Sequence, residues 1–212
     1  MRNVVLALAI AGSVTSIASA RPLYVKDLNL NGDNGAFAYV DQQIADDFML
    51  AADASVSQAT WYGNFISSGD PFNTGAQFTF AVRFYNDTGS GPALTAFSEQ
   101  LVVATLSDTG LSQENDAIYH FAANLNPVGL SGGVKYYLNI EEIDSTTPKP
   151  SFRWNNGAND IDDNVMYFTQ GASGWNQSGE PRTGCAFTLD VPAPSAALVG
   201  LAGVVAVGRR RR

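Results

Sequence analysis

The stretch Gln77–Asn86, QFTFAVRFYN, decides the fold. Phe78, Phe80, Val82 and Phe84 share one parity, and Gln77, Thr79, Ala81 and Arg83 share the other. A period of two sends successive side chains to opposite faces, so the segment predicts a half-buried strand with an aromatic inner face. GVKYYLNIEE repeats the pattern: Val134, Tyr136, Leu138 and Ile140 alternate with Lys135, Tyr137, Asn139 and Glu141. Further strands are expected over residues 44–50, 56–65, 99–106, 118–123, 151–154, 165–169 and 185–191. Between the strands lie the turn-rich pieces NGDNG, SSGDP, NDTGSGP, SDTG, NPVGLSGG, DSTTPKP and NNGAND. About nine short antiparallel strands with one apolar face each call for two sheets packed face to face. The expectation is an all-β chain, an antiparallel β-sandwich or jelly roll, with helices only at its two ends. Strand order stays open.

Those ends read as addresses. Met1-Arg2-Asn3 gives a positive start, Val4 to Ala11 an apolar run, and Ala18-Ser19-Ala20 a small-x-small cleavage site. Residues 1–20 are therefore expected to be a signal peptide with Ala18 and Ala20 at the cut, and 21–190 the folded domain. Residues 191–212 form a separate segment. It opens with Val191, Pro192, Ala193 and Pro194, continues as SAALVGLAGVVAVG, and closes with Arg209, Arg210, Arg211 and Arg212. A helix from Pro194 to Gly208 would be roughly 22 Å long, shorter than the ~30 Å hydrocarbon layer. Snorkelling arginines and local thinning cover part of the mismatch. The arginines mark the cytoplasmic side, which leaves the domain outside the cytoplasm. A closed outer-membrane barrel shares the strand alternation but conflicts with an inner-membrane helix.

A Pro-x-Pro motif, a brief apolar helix and a terminal arginine cluster resemble the PEP-CTERM sorting signal of exopolysaccharide-producing Gram-negative bacteria. The resemblance implies recognition and cutting by an exosortase-like membrane transpeptidase, then transfer or release at the cell surface. Ala193 stands where the family's usual glutamate would be, so a variant enzyme is implied if that carboxylate is read. The likeness covers only the tail. QIADDFML, the Trp61-Tyr62-Gly63 strand and YNDTGSGPA also resemble a layout of secreted bacterial β-sandwich domains. That second likeness implies fold and no activity.

All twenty acidic residues but only seven of the twelve basic ones lie in residues 21–191, a formal charge of −13 for that stretch. Such a surface repels phosphates, which disfavours nucleic acid. Cys185 is the single cysteine, so no intramolecular disulfide forms. Its parity with Phe187, Leu189 and Val191 puts it on the apolar face of a last strand.

Residues able to carry chemistry are few. Asp27, Asn29, Asn31 and Gly32 match the opening of a calcium loop, but the closing acid is replaced by Ala38. Asp160, Asp162, Asp163 and Asn164 offer hard oxygens for Ca2+ on one loop, although a solvated acidic loop explains them as well. One histidine and one cysteine argue against a transition-metal site, and no cofactor is expected. A Ser-His-Asp triad would have to use His120, and no G-x-S-x-G elbow accompanies it; His120 reads as a partly exposed strand residue. Asp46-Asp47 and Glu141-Glu142 are strand neighbours pointing to opposite faces, so neither pair can flank one glycosidic bond. An inward Asp46 or Asp47 would need a partner such as Arg83 or Arg153. Trp61, Tyr62, Tyr137, Trp154 and Trp175 are candidates for a sugar platform. Trp61 and Trp154 share parity with core residues, whereas Trp175 in GASGWNQSG is the better exposed one. The sequence thus favours an exported, non-enzymatic β-sandwich protein of the cell surface or extracellular matrix. A carbohydrate-binding module for exopolysaccharide is the alternative, and an extracellular hydrolase comes third.

Overall fold

The computed structural model describes residues 22–31, 35–38, 42–66, 78–143, 151–158, 165–169, 173–177 and 184–191. In chain order the strands are β1 (Pro22–Lys26), β2 (Ala36–Phe37), β3 (Gln42–Met49), β4 (Ala54–Ile66), β5 (Thr79–Asn86), β6 (Ser98–Val103) and β7 (Thr105–Gln113). Then come β8 (Asp116–Leu130), β9 (Lys135–Glu142), β10 (Ser151–Trp154), β11 (Met166–Thr169), β12 (Asn176–Gln177) and β13 (Phe187–Asp190). All these strand pairings are antiparallel, and the described residues contain no helix. The signal segment with Ala18 and Ala20 lies outside the described residues. So does the tail from Pro192, with Ala193, Pro194 and Arg209 to Arg212.

Two sheets form. In the seven-stranded one, β4 is long enough to pair with β13 at Gln58–Trp61 and with β10 at Gly63–Ile66, while β8 runs along its other edge. The six-stranded sheet has the order β12-β11-β3-β9-β5-β6. Both sheets send alternate residues into one core, as the parity of Phe78, Phe80, Val82 and Phe84 requires. Trp61 on β4 stacks on Phe121 of β8, and Phe80 from the opposite sheet meets its ring edge-on at 5.0 Å. Phe48 meets Phe187 across the same gap. Rings of this size remove 150–250 Å² each from water, so a few of them hold the two layers together without a disulfide. Gly63 is required by this packing: a Cβ there would run into the Phe152 ring.

Several expectations need correction. Residues 99–106 are two strands, because the chain leaves the six-stranded sheet after Val103 and joins the other at Thr105, with Ala104 as the hinge. The SDTG cluster is a bulge inside β7, where Gly110 has φ +68° and its N–H bonds Asp108 Oδ1 at 2.8 Å. The real hairpin turn is Glu114-Asn115, both left-handed, between the paired Gln113 and Asp116. Residues 126–130 of NPVGLSGG extend β8, and the turn begins only at Ser131. Strands β1, β2 and β12 have no counterpart in the alternation pattern. Val191 is exposed beyond β13, whereas Cys185, Phe187 and Leu189 are buried as expected.

Candidate functional site

The unusual surface is the outer face of the six-stranded sheet, which carries polar groups yet is largely covered. Parity there turns Gln43 and Ala45 of β3, Arg83 and Tyr85 of β5, Tyr137, Asn139 and Glu141 of β9, and Met166 and Phe168 of β11 away from the core. Asn139 is fully buried and Glu141 nearly so. Ala45, Tyr85, Tyr137 and Met166 form a second apolar cluster, with Ala96 and Trp175 packed on it.

Arg83 organises the polar part. Its guanidinium bonds Glu141, reaches Asn139 Oδ1 at 2.9 Å, and holds Glu99 on the neighbouring β6 at 3.2 Å. Burial alone would lower the Arg83 pKa, but the hydrogen bonds to Glu141 and Glu99 hold it above its ordinary value. Tyr85 is pushed up to about 12, chiefly by burial, so its hydroxyl stays protonated and donates to Gln43 Oε1 at 3.4 Å. Tyr137 is likewise raised to about 12 by burial and then by the charges of Asp47 and Asp87.

Beside this cluster opens a cleft of about 280 Å³, lined by Gln43, Arg83, Tyr85, Leu94, Thr95, Ala96, Glu99, Phe168 and Trp175. The Trp175 indole meets Tyr85 edge-on at 5.3 Å and tilts against Phe168 at 5.6 Å. Its Nε1–H donates to the Ala93 carbonyl at 3.2 Å, which fixes the ring while leaving it half-buried. The segment bearing Ala93 is set by the NDTGSGP turn, where Thr88 N–H bonds the Gly91 carbonyl and Ala93 N–H bonds that of Asn86. The cleft thus sets a fixed aromatic wall beside amide, hydroxyl and guanidinium groups.

The other sequence candidates separate. Trp61 and Trp154 are fully buried core residues, as parity requires, and Tyr137 is buried too, so it offers no exposed platform. Tyr62 lies on the outer face of the other sheet, 5.0 Å from the half-buried His120, whose pKa burial lowers. Asp46 and Asp47 do point to opposite faces, but their partners are lysines rather than Arg83 or Arg153. Asp46 bonds Lys26 at 2.6 Å between the sheets, and Asp47 bonds Lys135 at 2.7 Å outside. Cys185 contributes its backbone N–H to Asp46 Oδ2 at 2.8 Å. Its thiol is buried.

In the calcium-like loop, Asn29 Oδ1 caps the Asn31 N–H, and Ala38 is buried with its N–H on the Phe152 carbonyl. Ala38 brings no side-chain oxygen to close that loop, and its carbonyl accepts from Glu142 N–H. Asp160, Asp162, Asp163 and Asn164 lie outside the described residues. Among the described residues no group of three acidic, histidine or cysteine side chains is placed to hold a metal, and no helix is long and apolar enough to cross a membrane.

Tyr85, Gln43, Glu99 and Phe168 were not singled out from the sequence, and Arg83 was named there only as a partner for Asp46 or Asp47. The available signal was a tyrosine on the polar parity of β5, which marks an outer face that something covers.

Residues 21–192 match the model of the DUF7901 family, described as a domain of unknown function. Comparison with curated proteins returns no match.

Proposed function

From its membership of the DUF7901 family, which fixes a domain but no activity, we propose that this chain is an exported, non-enzymatic β-sandwich protein of the cell surface or extracellular matrix. We further propose that the cleft beside Trp175 makes it a carbohydrate-binding module. The observation carrying this reading is the immobilised indole over Tyr85 and Phe168, with Gln43, Arg83 and Glu99 at its foot. Sugar rings stack their C–H faces on such walls and give their hydroxyls to the polar floor. A glycosidase would need one neutral acid beside one carboxylate, whereas Glu99 and Glu141 share a single guanidinium as ion pairs. The leader at 1–20 and the tail at 191–212 support export and sorting by an exosortase-like transpeptidase, with the tail in the inner membrane beforehand.

The test of binding is a glycan array probed with residues 21–191 and with Trp175→Ala. Saccharide binding that the substitution abolishes supports the module, and a parent protein that retains no saccharide removes it. Sorting is tested by mass spectrometry of the surface-localised protein: loss of Arg209 to Arg212 is expected, and an intact tail overturns processing.

A further inference from the structure

Resting on the glycan reading above, we infer that the cleft takes an internal stretch of an extended neutral or amino-sugar polymer that crosses edge strand β6, rather than a single terminal sugar. A second groove, of about 430 Å³, lies on the other side of β6 between that strand and β8. Glu99 lines both depressions, so they meet at one residue. The second groove presents a different chemistry, with Gln100, Asn124 and Asn126 on its walls. Gln100 is committed: its amide bonds both the carbonyl and the N–H of Asn126, at 3.0 and 2.7 Å, which pins the groove's shape. The Asn126 side-chain amide makes no hydrogen bond among the described residues, and Asn124 makes only a 3.5 Å contact to Gln58. Both therefore offer donors and acceptors to hydroxyl groups. Leu101, which also lines the second groove, is 65% exposed and gives it an apolar patch against which a sugar face can lie.

The path thus runs from an aromatic wall, past Glu99, to a groove lined by amides and an exposed leucine. Two depressions that meet at Glu99 give room for more than one ring. Charge narrows the class further. One guanidinium faces two carboxylates at the Trp175 cleft, within a domain that is strongly acidic overall. Uronate or sulfated chains would meet repulsion from Glu99, where the two depressions join, and from the acidic domain as a whole, while uncharged chains or those bearing free amines would not.

The experiment uses residues 21–191 against neutral, amino and uronic oligosaccharides, each as a disaccharide and a hexasaccharide, measured by calorimetry. Among neutral or amino sugars the hexasaccharide is expected to bind at least about tenfold tighter than the disaccharide. Asn126→Ala, which keeps both backbone bonds to Gln100, should weaken the hexasaccharide roughly fivefold, the size of one uncharged hydrogen bond, and leave the disaccharide unchanged. Equal affinities for the two lengths, an unchanged hexasaccharide affinity in Asn126→Ala, or preference for uronates overturns the inference. None of those results touches the binding reading itself, which fails only if no saccharide binds or Trp175→Ala binds like the parent.

Discussion

Lys26 Nζ lies 2.6 Å from Asp46 Oδ2, with both side chains buried between the sheets. The lysine comes from the first strand and the aspartate from the third, so the pair ties β1 to the opposite layer. Its stem passes against Gly157, and the ammonium sits 5.7 Å from the Phe187 ring centroid. Burying two charges is costly, so such a pair sets position more than it adds net stability.

Removing one partner should therefore hurt more than removing both. Asp46→Ala is expected to cost about 3–5 kcal/mol in urea unfolding, because Lys26 loses its carboxylate inside the core. Lys26→Met with Asp46→Leu should recover part of that loss. A residual deficit of about 1–3 kcal/mol is expected from the Cys185 N–H, which would lose its acceptor. A double variant as unstable as Asp46→Ala would refute this account.

Tyr85 and Tyr137 make the fold sensitive to alkali. Both are raised to about 12 from an ordinary value of 10. The unfolded chain then releases protons that the folded chain keeps. Stability is fully present below pH 10 and falls as pH rises towards 12. Ultraviolet titration of the phenols should show Tyr85 and Tyr137 ionising late, together with unfolding. Tyr85→Phe should flatten the upper part of the stability curve.

At Gly63, alanine should lower the melting temperature, because the added methyl meets the Phe152 ring and the Arg153 carbonyl. Overpacking of this kind costs about 1–3 kcal/mol. A paired Phe152→Leu should relieve part of the loss, and thermal melts of the single and double variants check it.

The Glu114-Asn115 turn is strained in the other direction. Neither residue is glycine, yet both sit at positive φ, 51° and 72°. Replacing the pair by Asn-Gly is expected to stabilise the hairpin by about 1 kcal/mol, at the expense only of a loose 3.9 Å contact from Glu114 to Arg153. Urea midpoints would register the gain.

Much of this architecture was readable from parity alone. Phe78, Phe80 and Phe84 announce their sheet's inner face, and Trp61 and Trp154 follow the same rule into the core. The switch at Ala104 was not readable, because Val102, Ala104 and Leu106 keep one parity straight through it and all pack on the core. The alternation is blind to a change of partner strand. The same limit hid the cleft. Trp175 stood out through its glycine- and serine-rich surroundings, but Arg83 and Tyr85 reach it from another strand some ninety residues away, and no local pattern encodes that meeting. Strand β1 escaped because PLYVK has no clean alternation, and its lysine faces inward to find Asp46.

The register of β1 on β13, with Pro22 opposite Asp190, sets the domain's first and last strand residues side by side. Because β13 is also laced to β4, a pull on the chain beyond Asp190 would load two ladders at once in shear. A force applied there would be borne by the seven-stranded sheet, while the cleft beside Trp175, built on the six-stranded sheet, would lie outside its path.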